Sequence, residues 1–96
     1  MRRILKYTLD IVDYQELTLS ENSKILSVVN QRDSIVLYAL TNEEPTTCTY
    51  SIIMHGTGHP ADDVVGAQFI GTVSLYNGSL MFHVFARRKV NEHSKT

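Results

Sequence analysis

The chain has little of what secreted, membrane-spanning or disulfide-stabilised proteins need. Its one cysteine, Cys48, cannot form a disulfide within the chain, which does not favour a secreted scaffold. No apolar run approaches the ~20 residues of a membrane-spanning helix. Arg2 and Arg3 precede an apolar stretch that Lys6 interrupts, which is not the pattern of an export signal. We therefore expect a soluble, cytoplasmic protein.

The composition is that of one folded domain. Of the 96 residues, 43% are hydrophobic and 20% are charged, as in average globular chains. This length allows one hydrophobic core and no second one. We predict a single β domain over residues 1–90, followed by a flexible tail over residues 91–96, where the sequence becomes polar.

The net charge of −1 conceals an uneven distribution. Nine of the ten acidic residues lie between Asp10 and Asp63. Seven of the nine basic residues lie in the first six or last ten positions: Arg2, Arg3, Lys6, Arg87, Arg88, Lys89 and Lys95. If the first and last strands are neighbours in space, the termini form a basic patch on an otherwise acidic molecule.

Apolar and polar residues alternate with a period of two along most of the chain, which is typical of β-strands. The most apolar run, Ile35 to Leu40, is predicted to be a central strand, and Arg3 to Leu9 an edge or closing strand. The clearest alternation follows Thr46 and predicts one buried and one solvated side of a strand. The predicted buried side is Cys48, Tyr50, Ile52 and Met54, and the predicted solvated side is Thr47, Thr49, Ser51 and Ile53.

A hairpin is predicted where Asn77 and Gly78 separate two strand-like runs. Both central residues of a type I′ turn need positive φ, which Asn and Gly tolerate best. Together with short turns every 8–12 residues and the absence of an amphipathic helix pattern, this predicts an all-β fold. We expect about seven antiparallel strands, forming a small meander barrel or a sandwich, with at most one short helical turn.

The segment from His55 to Asp63 is the one stretch where the alternation stops and several reactive side chains occur together. Pro60 is placed to open a single helical turn through Asp63. The glycines of this loop are also those that a purely structural surface loop would use. The loop is therefore either a binding site or a purely structural loop.

Metal binding is one interpretation of this loop. His55 and His59 are four residues apart, and Asp62 or Asp63 offers a third ligand. The glycines and Pro60 make a helix improbable here, so a loop would have to bring the imidazoles together.

Anion binding is the other functional interpretation. The backbone of Gly56, Thr57 and Gly58 is able to form an anion nest, to which His59 adds a donor. Basic residues near the C-terminus, Arg87 and Arg88, would complete a site for a phosphorylated small molecule. The loop lacks the lysine of a P-loop and is not a dinucleotide fingerprint.

The sequence offers no catalytic set. Cys48 shares its strand side with apolar residues and is expected to be packed, and His83 alternates with Met81 and Phe85 as a core-edge histidine with a hydrogen-bond partner. A few aromatic residues lie near basic ones, but the pI of about 6.4 argues against nucleic-acid binding. We predict no cofactor.

Several segments together resemble a family of small uncharacterised proteins encoded by bacteriophages and prophages. The similarity spans about Ile4 to Phe85 and includes a GTGHP loop and an LxFHxF strand. The segments are Ile4–Tyr7, Lys24–Val28, Gly56–Pro60, Phe69–Thr72 and Leu80–Phe85. The resemblance implies a phage accessory protein acting in the bacterial cytoplasm, but no activity that transfers to particular residues.

Three hypotheses for function follow. The first is a non-enzymatic module that binds a host protein or defence component, with unpaired strand edges suited to strand addition or homodimerisation. The second is a protein that sequesters a phosphorylated small molecule or nucleotide through Gly56–His59. The third is a metal-dependent hydrolase using His55, His59 and an aspartate.

Overall fold

The structure, a computed structural model, describes residues 1–89. The tail predicted over residues 91–96 lies outside the described residues. Seven strands account for most of the described chain: β1 (Arg2–Leu9), β2 (Tyr14–Ser20), β3 (Lys24–Gln31), β4 (Ser34–Asn42), β5 (Thr47–Gly56), β6 (Gln68–Leu75) and β7 (Leu80–Arg88). A single 3₁₀ turn, Asp62–Val64, lies between β5 and β6. The predicted all-β fold of about seven strands is confirmed.

The strands form two antiparallel sheets. Sheet A has the order β1-β4-β3, and sheet B has the order β2-β5-β7-β6. Within residues 1–89 the strands do not close into a barrel, so the structure takes the two-sheet alternative. β4 is central and β1 is an edge strand, as predicted. No helix in this part of the chain is long and apolar enough to cross a membrane.

The core lies between the two sheets. Alternate residues of β4 face it and are fully buried: Ile35, Leu37 and Ala39. Ile52 and Met54 of β5 meet them from sheet B. Burying each large side chain of this kind stabilises the fold by about 1.5–3 kcal/mol. We call the core-facing side of each sheet its inner face and the opposite side its outer face.

The outer face of β5 differs from the prediction. Ser51 and Ile53 were expected to be solvated, but both are buried. Ile53 lies in register between Tyr14 of β2 and Phe85 of β7, and the Tyr14 hydroxyl lies 3.1 Å from Ser51 Oγ. Large side chains of the neighbouring strands thus cover a face whose own residues are mostly polar.

The two sheets meet along β3 and β6. Asn30 Nδ2 donates to the Ser74 carbonyl oxygen at 2.7 Å, and the Tyr76 amide donates to Asp33 Oδ1 at 3.0 Å. A Cβ on Gly71 would lie 3.1 Å from Val28 Cγ2, so a larger residue here would press against the Val28 side chain. β3 and β6 are thus edge strands that contact each other, whereas β1 and β2 are the edge strands on the opposite sides of the two sheets.

The predicted hairpin between β6 and β7 is confirmed, and its connection contains two overlapping turns. The Ser79 amide donates to the Tyr76 carbonyl oxygen at 3.1 Å, which makes Asn77 and Gly78 the central residues of one turn, with φ values of 56° and 89°, as predicted. The Gly78 amide donates to the Leu75 carbonyl oxygen at 3.1 Å, which adds a second turn centred on Tyr76, with a φ of 52°, and Asn77. The hydrogen bond from the Tyr76 amide to Asp33 Oδ1 fixes the position of this connection. A contact between segments so far apart in the sequence is not predicted by a local pattern.

The condition for a basic patch at the termini is not met. β1 belongs to sheet A and β7 to sheet B, so the first and last strands are not neighbours. Three of the basic residues instead form ion pairs: Arg3 with Glu43 at 3.5 Å, Lys89 with Glu16 at 2.6 Å, and Arg88 with Glu21.

Candidate functional site

The loop after β5 begins with a tight turn. The His59 amide donates to the Gly56 carbonyl oxygen at 3.2 Å, and Gly58 has a φ of 88°. A positive φ at the third residue is the requirement of a type II turn. The His59 ring lies against Gly56, where an added Cβ would be 3.3 Å from His59 Cε1. The helical turn predicted at Pro60 forms two residues later, at Asp62–Val64.

The buried histidine of β5 holds this loop at its far end. His55 is 9% exposed, and its Nε2 lies 2.7 Å from Asp63 Oδ1. An unpaired imidazole at this depth would cost free energy, because it would have lost its water without gaining a partner. The pair therefore fixes the 3₁₀ turn against sheet B.

The Arg87 side chain holds the same part of the loop by binding the loop's backbone. Its Nη2 donates to the carbonyl oxygens of Asp63 at 3.0 Å and of Val65 at 2.9 Å. These bonds are charge-assisted and stronger than bonds between neutral groups. Arg87, which was predicted to bind a ligand, thus donates its hydrogen bonds to carbonyl oxygens of the loop.

His83 of β7 holds the beginning of the loop. Its Nε2 lies 2.7 Å from Thr57 Oγ1, and its Nδ1 lies 3.0 Å from Thr72 Oγ1. A neutral imidazole donates from one nitrogen and accepts at the other, and a threonine hydroxyl suits either role. His83 was predicted to be a half-buried histidine with a partner. Its two threonine partners come from different elements and had no signal in the sequence.

These contacts make residues 57–66 a clasped loop that lies on the outer face of sheet B. Gly56, Thr57, Gly58 and His59, which were predicted to bind a ligand, are consecutive in the chain and form the turn at the start of this loop. Arg88 lies on the opposite face from Arg87, because successive strand residues alternate, and it pairs with Glu21. The structure therefore separates the two arginines that the prediction grouped.

A shallow cleft of about 280 Å³ lies between the clasped loop and the start of β7. Its lining is Gly56, Thr57, His59, Ser79, Leu80, Met81 and Phe82. None of these is Lys or Arg, and Arg87 is five residues further along β7, roughly 17 Å away. The cleft thus lacks the cations that binding a phosphate would use.

The predicted metal ligands do not converge. His55 pairs with Asp63, whereas His59 packs against Gly56. Among residues 1–89, no group of three or more His, Cys, Asp or Glu side chains is arranged to hold a metal ion.

Cys48 faces the core, where its side chain is buried. Its Sγ lies 3.9 Å from the Ser20 carbonyl oxygen. The neighbouring Tyr50 hydroxyl lies 3.5 Å from the Ser23 carbonyl oxygen, and burial, followed by the effect of Cys48, raises the pKa of this phenol. These are the properties of packed side chains.

A second surface lies at the edge of sheet A. All eight residues of β1 pair with β4, and the other edge of β1 pairs with no strand among the described residues. Leu5 is 42% exposed although it belongs to the inner face, and Ile4 on the outer face is 62% exposed. Apolar side chains thus flank an open row of backbone donors and acceptors.

The fold and these surfaces define a small two-sheet antiparallel β domain. The family described as Domain of unknown function (DUF7352) matches residues 1–95, and the chain belongs to this family. The expectation of an uncharacterised family is confirmed at this level. No curated protein and no solved structure matches the chain.

Proposed function

We propose that this protein is a non-enzymatic binding module that captures an extended segment of a partner protein as an additional strand along β1. The observation that carries the proposal is the open edge of β1, with Ile4 and Leu5 exposed beside it. An added strand would satisfy the outward-facing backbone groups of β1 and cover these side chains.

The clasped loop supports a structural role better than a binding role. Three polar side chains of that region, those of Thr57, His55 and Arg87, are already bonded to other parts of the protein. A ligand held by these side chains would have to break their bonds, whereas a strand at β1 breaks none between strands. For this reason we favour β1 over the sequestration of a phosphorylated small molecule.

The biological setting belongs to the same proposal. The resemblance to phage and prophage proteins supports an accessory protein that acts in the bacterial cytoplasm, and its partner would then be a host protein or a defence component. A small module that binds a partner without catalysing a reaction is suited to blocking or redirecting that partner.

The test is a selection of displayed random peptides on the purified protein, followed by binding to Leu5→Lys. A lysine at Leu5 places a charge where a neighbouring strand would pack, and the half-exposed site tolerates it. Thr18→Lys is the matched control, since it adds the same charge to an exposed position on β2, an edge strand of the other sheet.

We expect selected peptides to protect β1 amides from hydrogen exchange, to lose affinity for Leu5→Lys and to keep it for Thr18→Lys. Peptides that protect only the clasped loop, or that bind both variants equally, would contradict the proposal. Thermal unfolding of each variant verifies that it is folded.

A further inference from the structure

We infer that the segment that β1 captures is an acidic amphipathic strand, in which carboxylates alternate with large apolar residues. This inference rests on the proposed function and adds the chemistry of the partner. It follows from the charge of sheet A and from the different chemistry of the two faces of β1.

Sheet A concentrates positive charge in a chain that is otherwise acidic. Its three strands contain no Asp or Glu and four basic residues: Arg2, Arg3, Lys6 and Lys24. Since the whole chain has a net charge of −1, the rest of it carries −5. A partner with negative charge is therefore attracted to sheet A and repelled by the remainder of the molecule.

The outer face of β1 presents two of these cations without a carboxylate partner. Among the described residues, ion pairs involve Arg3, Arg88 and Lys89, but neither Arg2 nor Lys6. Lys6 Nζ donates only to the neutral Gln31 Oε1, at 3.4 Å. Side chains of an added strand on this face would lie beside Arg2 and Lys6, where Asp or Glu is the favourable choice.

The inner face of β1 favours apolar neighbours instead of acidic ones. Tyr7 packs at the border of the core, and Leu5, two residues before it on the same face, is 42% exposed. An added strand would place every second side chain beside these two residues, where a large apolar group would extend the core. The two faces together require alternating acidic and apolar residues.

A second copy of the same chain is a poorer occupant of this edge. Two β1 strands side by side would gather six cations, Arg2, Arg3 and Lys6 of each copy, within one pair of eight-residue strands. Like charges on neighbouring strands are destabilising. β1 contributes no acidic residue to offset this repulsion.

The experiment compares two synthetic peptides of equal length, one alternating glutamate with valine and the other alternating lysine with valine. Binding to the full chain is measured by fluorescence anisotropy at low and high salt, with hydrogen exchange of β1 amides as the structural readout. The charge variants are Lys6→Glu and its matched control Lys24→Glu. The control makes the same change on β3, at the far side of sheet A, about 10 Å from β1.

We expect the glutamate peptide to bind, to protect β1 amides and to weaken as salt rises. Lys6→Glu should weaken it roughly tenfold, whereas Lys24→Glu should change its affinity about twofold or less.

Three results would overturn the inference. If the lysine peptide binds β1 as well as the glutamate peptide does, β1 captures strands but does not select acidic ones, so the proposed function survives alone. A dimer in sedimentation velocity that excludes both peptides identifies a second copy as the occupant. If neither these peptides nor any selected one protects β1, the proposed function fails as well.

Discussion

His55 Nε2 and Asp63 Oδ1 lie 2.7 Å apart, and this contact joins a buried strand residue to an exposed turn. The sequence pattern allows both residues as metal ligands. Their geometry shows that each is the partner of the other, and the bond explains how a loop rich in glycine keeps a defined position on sheet B.

Asp63→Ala should loosen the clasped loop without unfolding the domain. The substitution leaves the buried His55 ring without its partner, which costs about 1–3 kcal/mol. Chemical denaturation measures this loss, and hydrogen exchange should show faster opening of residues 57–66. Asp62→Ala is the matched control because the adjacent carboxylate makes no described side-chain contact. Equal stability of the two variants would show that the pair does not hold the loop.

Gly58→Ala should destabilise the protein by about 1 kcal/mol. The reason is the backbone, since φ is 88° and nothing lies within 4 Å of an added Cβ. Gly58→Asn should cost less, because asparagine tolerates the left-handed region better than alanine does. Thermal unfolding of the two variants checks this order, and an alanine variant as stable as the wild type would show that the turn relaxes to another conformation.

Alkaline pH should destabilise the fold through Tyr50. Burial raises the pKa of this phenol above its ordinary value of 10.0, so the folded state keeps a proton that the unfolded state releases. Stability should therefore be unaffected below pH 10 and decline as pH rises above it. Denaturation across this range should show a shallower decline for Tyr50→Phe than for wild type. Tyr76→Phe, at an exposed turn, should retain the wild-type decline, and a decline unchanged in Tyr50→Phe would refute the assignment.

The sequence predicted most of the strands because their signal is local. Alternation located β5, and the apolar run of β4 marked it correctly as a central strand. The same logic misjudged Ser51 and Ile53, whose burial depends on Tyr14 and Phe85 from other strands. Local composition describes a strand's own side chains but not what the tertiary structure packs over them.

The candidate site was harder to predict for the same reason. The loop residues from Gly56 to His59 do lie together, because they are adjacent in sequence. The position of Arg87 at the other end of the loop, and the bond from Thr72 to His83, depend on strand register. The loose alternation of Arg3 to Leu9 did predict an edge or closing strand, but its pairing with β4 depends on strand order, which no local pattern specifies.

The strand order also has a consequence for how the molecule assembles. The hairpins β3–β4 and β6–β7 join neighbouring segments, whereas β1 reaches β4 only across at least 26 residues, from Leu9 to Ile35. Long loops close late in folding, because their entropy is lost before their contacts form. We therefore expect β1 to join sheet A after the β3–β4 hairpin has formed. A partner strand at the free edge of β1 would then extend the sheet from the strand that is incorporated last.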